Sequence, residues 1–212
     1  AETGGKDESG GDRLLKGPAF SEIGEGETSS AGWPTYRGDG ARSGRAGRAV
    51  PAAIAPVWEF GAGGTLTQPV AAGGRVYVAR ADTNTIHALD AGSGKQVWDF
   101  PAAGGIDSPP TVHGGAVYVG SRDGCIYCLR AADGALAWRF RAAPADRQVV
   151  SYNRPASAWP LSGSVLLHKG SLYAVAGRSS YLDGGMVLYR LDPRTGAVRS
   201  SRRISHRRED GR

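Results

Sequence analysis

The chain has little of what most chemistry-bearing proteins rely on. Across 212 residues there are two cysteines, one methionine, four histidines and four phenylalanines. No eighteen-residue window is apolar, which leaves no candidate for a membrane-crossing helix. The opening stretch Ala1–Asp12 is rich in glycine and acid and lacks an apolar core, so it is not a signal peptide, and any export signal is expected to lie outside it. The four histidines, His87, His113, His168 and His206, stand far apart with no metal-ligand spacing. No Gly-x-Ser-x-Gly elbow and no phosphate-cradling glycine loop is present. These gaps leave no catalytic residue and no metal site to name.

Charge gives equally little. The formal net charge is +6, but six arginines against Glu209 and Asp210 put +4 into the last fourteen residues. The rest of the chain is near neutral, and no aromatic residue interleaves with those arginines, so a nucleic-acid surface is not expected. Cys125 and Cys128 form a Cys-x-x-Cys pair without a second pair or a following helix signal. They sit in the strand-like run Cys125-Ile-Tyr-Cys128-Leu129, where residues three apart face opposite ways, so they read as two unrelated strand cysteines.

What the chain does have is punctuation and repetition. Thirty-three glycines and twelve prolines predict many short strands and turns. Trp58, Trp98 and Trp138 recur every 40 residues, each followed two positions later by Phe60, Phe100 or Phe140. Between them, Gly73-Gly74-Arg-Val-Tyr77-Val78 recurs as Gly114-Gly115-Ala-Val-Tyr118-Val119 and as Lys169-Gly170-Ser-Leu-Tyr173-Ala174. Ile86-His-Ala-Leu-Asp90 recurs as Ile126–Arg130 and Leu188–Asp192. Each unit therefore reads as four antiparallel strands, A to D, joined by tight turns. Four strands at this period is the pattern of a β-propeller blade, a small sheet with two apolar faces that must stack on neighbours.

At this point a family becomes visible. Ala88-Leu-Asp90-Ala-Gly-Ser93-Gly94-Lys-Gln-Val-Trp98 resembles the tryptophan docking motif of pyrroloquinoline-quinone (PQQ) type propellers, with Ser93 where threonine is usual. The second copy has Arg130 in place of the aspartate, and the third lacks the tryptophan. The resemblance implies that Trp58, Trp98, Trp138, Asp90 and Gly94 are blade-docking residues. Trp33-Pro-Thr-Tyr-Arg-Gly-Asp-Gly-Ala-Arg-Ser-Gly44 is similar to the opening segment of bacterial PQQ-like repeat proteins. The expected organisation is a flexible segment over 1–32, repeats over 33–200 with units near 61–100, 101–140 and 141–200, and a basic end over 201–212. A lone D strand at Val57–Phe60 precedes the three units. Propellers close with about four to eight blades, and this family has seven or eight. The remaining blades are therefore expected beyond this chain or from another subunit.

The third unit departs from the others. Trp98 to Pro110 is twelve residues, Trp138 to the equivalent Ser164 is twenty-six, so Arg141–Pro160 carries an insertion between strands D and A. The B–C turn between Val175 and Val187 is about five residues longer than its cognates. Both additions leave the blade on the same rim, where function in scaffold folds tends to sit. The predicted binding rim comprises Trp159, Arg178, Ser179, Tyr181 and Asp183, with Tyr152, Asn153 and Arg154 nearby. Arginine forks onto carboxylate or phosphate, aromatics stack on rings, and Asp183 before Gly184-Gly185 either turns the hairpin or offers an oxygen to a cation.

Three functions remain open. The first is a non-enzymatic scaffold similar to outer-membrane assembly lipoproteins of the BamB type, holding a protein partner or small ligand. The second is a PQQ- and calcium-dependent oxidoreductase, implied by resemblance alone. The third is an extracellular carbohydrate-binding or sensor domain. A periplasmic or extracellular location is likewise what the resemblance implies.

Overall fold

The computed structural model describes residues 13–24, 32–47, 49, 51–151 and 153–206, and nearly all its regular structure is β. A short strand β1 (Leu14–Lys16) and a 3-10 turn at Phe20–Glu22 come first. Blade 1 follows as β2 (Val70–Ala72), β3 (Arg75–Arg80), β4 (Thr85–Asp90) and β5 (Gln96–Pro101). Blade 2 is β6 (Thr111–His113), β7 (Ala116–Gly120), β8 (Cys125–Arg130) and β9 (Leu136–Arg141). A hairpin of β10 (Gln148–Ser151) and β11 (Arg154–Ser157) interrupts the series. Blade 3 is β12 (Leu166–His168), β13 (Ser171–Ala176), β14 (Met186–Leu191) and β15 (Val198–Ile204). Within each blade the strands pair antiparallel in chain order. The chain is all-β, with the four-stranded antiparallel sheets of a partial propeller.

The blades stack through two cores, one between blades 1 and 2 and one between blades 2 and 3. Strand β8 serves both: Cys125 and Tyr127 face the first, Ile126 and Cys128 the second. The two cysteines are free and buried on opposite faces of one sheet. Burial, with the nearby Asp123 carboxylate adding to it, pushes the Cys125 thiol up to about 12, and burial pushes Cys128 up as well, so neither is a thiolate at neutral pH.

The repeated tryptophans join each blade to the next. The Trp58 indole donates to Ala91 O at 2.9 Å, Trp98 to Ala131 O at 3.0 Å and Trp138 to Pro193 O at 3.1 Å. Each acceptor lies in the C–D turn of the following unit. The ring lies flat on the glycine of that turn: a Cβ on Gly94, Gly134 or Gly196 would come within 2.5 to 2.8 Å of indole carbons. All three glycines have φ near +70°, a region that other residues avoid. Asp90 holds its turn by accepting from the Ser93 amide and hydroxyl at 2.8 and 2.7 Å, bonds that hold its carboxyl below the usual carboxylate range. In blade 2, Arg130 stands at that position and pairs instead with Asp133 and with Glu22 of the 3-10 turn.

Three expectations are corrected. First, the described part of 1–32 is not a loose segment. β1 adds to β9 as a fifth strand, Leu14 opposite Phe140 and Lys16 opposite Trp138. Arg13 is buried, donates to Arg141 O, Ala142 O and Tyr189 OH, and lies over the Phe140 and Tyr189 rings. Secondly, Val57–Phe60 joins no ladder among the described residues: Trp58 bonds Ala91 O, but an extended segment becomes a strand only beside another. Thirdly, β15 runs to Ile204, so the basic end begins inside a strand; residues 207–212 lie outside the described residues.

The segment 33–44 crosses the innermost strands in turn. Trp33 bridges Ala71, Pro34 O accepts from Val112 N, the Thr35 and Thr111 hydroxyls meet at 2.9 Å, and Arg42 donates to Ser164 O. One strap thus ties the inner edges of all three blades.

Candidate functional site

The D–A connections and B–C turns meet on one rim, held by a run of backbone bonds. Arg122 N donates to Gly105 O, Ser157 N to Arg122 O, Leu161 N to Ser121 O and Gly177 N to Pro160 O. Two cavities open there. The larger, about 410 Å³, lies between the rims of blades 1 and 2, bounded by Asp82, Asn84, Gly104, Asp107, Arg122 and Arg154. The smaller, about 260 Å³, shares Arg122 and reaches Ser157, Gly177 and Arg178. The wall carboxylates Asp82 and Asp107 are each paired with an arginine. Arg80 forks onto Asp82, with both distances 2.9 Å, and Arg122 meets Asp107 at 2.6 Å. The Arg80 fork holds the Asp82 carboxyl below its usual range. From the inserted hairpin, Arg154 reaches across to Asp82 O. The Asn84 side-chain oxygen is buried on this wall with no hydrogen-bond donor among the described residues.

The insertion in the third unit folds as the β10–β11 hairpin, Gln148 opposite Ser157 and Ser151 opposite Arg154. It is fastened to the long B–C turn through Asp183, which accepts from Arg147 of the hairpin and, at 3.0 Å, from Arg178 of its own loop. Of the five residues the sequence pointed to, Arg178 and Asp183 therefore meet. Asp183 spends its carboxylate on two guanidinium groups, which argues against a role as cation ligand. Ser179 accepts from Tyr181 N and shapes the loop. Tyr181 is 67% exposed and stacks on His206 with ring centroids 4.3 Å apart. Trp159 does not line the rim: it is 7% exposed, packed in the core between blades 2 and 3 with the Arg147 guanidinium over its ring. Tyr152 lies outside the described residues. Sequence reading missed Arg147, Arg122 and the Asp82–Arg80 pair, since nothing in a repeat pattern marks which loop charges will meet.

Residues 39–212 match a family model described as outer membrane protein assembly factor BamB. The chain belongs to this PQQ-like propeller family. Among solved structures, this BamB-like chain is similar to BamB from Moraxella catarrhalis, at 23% identity over 62% of this chain and 34% of that one, TM-score 0.45. It is also similar to the quinohemoprotein alcohol dehydrogenase from Comamonas testosteroni, at 19% identity over 89% of this chain and 29% of that one, TM-score 0.65. A europium-containing methanol dehydrogenase gives 17%, 87%, 33% and 0.65 in the same order. The BamB-like chain thus spans about a third of the length of these structures, and the likeness to the two dehydrogenases establishes the fold alone. No curated protein matches.

The dehydrogenase likeness raises the question of PQQ and a metal. The rim carboxylates Asp82, Asp107 and Asp183 are each tied to arginine, Asp123 accepts from Cys125 N and Tyr127 OH, and no group of three His, Cys, Asp or Glu residues comes together among the described residues. The donor set of these three blades does not fit a calcium-bound quinone.

Proposed function

We propose that this chain is a non-enzymatic binding module of the BamB-like family, which holds a protein partner on the rim formed by its D–A and B–C connections. The observation that carries the reading is the Asp183 clasp. It fixes two inserted loops against each other, and those loops present large apolar side chains to solvent: Val150 is 80% exposed, Tyr181 67% and Leu182 56%. Loops lengthened, locked and left apolar at their tips have the character of a docking surface. The arginines around them, Arg147, Arg154 and Arg178, add polar reach at the border, where interfaces favour that residue.

Photo-crosslinking in the longest natural form of the protein tests this. A photoreactive residue at Tyr181 should give one discrete crosslinked species in cells, and one at Lys169 on the opposite rim should give none. Equal labelling from both rims, or none from either, overturns the proposal. Calorimetric titration with PQQ and calcium supplies the opposing arm: micromolar, calcium-dependent binding would replace the scaffold reading with an oxidoreductase one.

A further inference from the structure

The fourth strand of each blade is an outer edge, and β9 shows what such an edge accepts here. It takes β1 as an added antiparallel strand. Strand β15 offers the same kind of outer edge over seven residues; Arg202 stands where Phe140 stands in blade 2, on the face that a following blade approaches, and Arg203 stands on the other. The edge of blade 1 is different: β5 carries Asp99 and ends on Pro101, which has no amide to donate. Strand β15 has neither proline nor acid. It carries Arg199, Arg202 and Arg203, with Val198 and Ile204 at its ends.

These arginines are arranged, not merely numerous. Arg202 stands opposite Leu188 and Arg203 opposite Val187 on β14, so the two leave from opposite faces of the sheet and flank the backbone edge between them. Arg203 is steadied by Gly184 O at 3.2 Å, and Arg199 is drawn back to Asp192. A second copy pairing through the same edge would set arginines against arginines, which is destabilising. The chemistry therefore selects an opposite charge. None of the β15 residues lines either rim cavity; only its Arg203–Ile204 end touches the B–C loop of the rim, through Gly184 and Gly185, and Val198–Arg202 lies clear of it.

We infer that the outer edge of blade 3 takes an extended acidic segment of a partner protein as a fifth, antiparallel strand. Main-chain bonds to the β15 edge supply the affinity, and carboxylates on alternate faces meet Arg202 and Arg203 to supply the choice.

The test is amide hydrogen exchange across Val198–Ile204 in the full chain with three probes. One is a decapeptide of alternating Glu and Thr, one its Lys-Thr counterpart, and one the Glu-Thr peptide N-methylated at alternate residues, made in both registers. The Glu-Thr peptide should slow exchange along β15, the Lys-Thr peptide should not, and N-methylation in one register should abolish the effect. The double substitution Arg202→Glu with Arg203→Glu should weaken Glu-Thr binding about tenfold while leaving the melting temperature near its original value. Equal slowing by the Lys-Thr peptide, or equal binding by both methylated peptides, overturns strand addition and leaves a general anion patch. No slowing by any probe overturns it too, and leaves arginines that only keep the edge unpaired.

Discussion

Trp58 and Trp138 carry the same motif and make the same bond, yet they sit in different surroundings. Both indoles donate to a carbonyl of the next C–D turn and cover its glycine. Trp138 is wholly buried, with a blade on either side and β1 laid along its strand. Trp58 is half-buried and extends from a segment that joins no ladder among the described residues. A motif specifies where a ring docks; the sheet behind the ring decides how much that docking contributes to stability.

The comparison is broken most severely at Trp138. Replacing it with alanine should cost about 3–5 kcal/mol, read as a large drop in melting temperature, with Trp138→Phe recovering part of the loss. An unchanged melting temperature would mean that blades 2 and 3 do not depend on this contact. Arg13→Ala comes next. It strips Arg141 O, Ala142 O and Tyr189 OH of a shared donor and frees β1, and about 2 kcal/mol is expected, together with faster exchange along β9. Trp58→Ala should be milder, about 1 kcal/mol, because only part of the ring leaves water. Equal losses at Trp58 and Trp138 would show that the two seats are equivalent after all.

The smallest effect is a pH dependence. Arg130 and the Ala135 amide hold Asp133 at about 2, against an ordinary 3.8, and Ser93 lowers Asp90. A depressed carboxyl stabilises the fold above its ordinary value, and that contribution disappears as pH falls through the lowered one. Between pH about 4 and about 2 the melting temperature should therefore slide, and Asp133→Asn should flatten the slope slightly because the pair is exposed. Asp183→Asn supplies a contrast at the rim. It should leave the melting temperature nearly unchanged while raising exchange in the 177–185 turn, because its two arginines clasp loops and not blades.

Much of this was legible in the sequence, for a physical reason. Blade stacking needs a large ring on a bare glycine turn at each interface, so Trp58, Trp98, Trp138, Gly94, Gly134 and Gly196 had to recur, and recurrence can be read. The four-stranded units followed from the same period. Features used once leave no such trace. β1 is three residues long and finds its partner more than 120 positions away. The apolar Leu14, Leu15, Phe20 and Ile23 were the available hint that the segment packs. Trp159 could be read as a rim aromatic because a tryptophan in an insertion looks free until the core beneath it is seen. The Asp183 clasp was half visible: its loop partner Arg178 lies five residues away in sequence, and Arg147 lies thirty-six.

The inner strap over 33–44 has a consequence for how the molecule comes together in time. Its contacts end at Ser164, 122 positions from Arg42. During synthesis the strap leaves the ribosome before any of the three blades it binds, and it cannot complete its course until blade 3 exists. Such long-range closure is entropically expensive and slow. The first part of the repeat region to be made therefore completes its seat only after the last blade is in place, closing over sheets that their own cores already hold together.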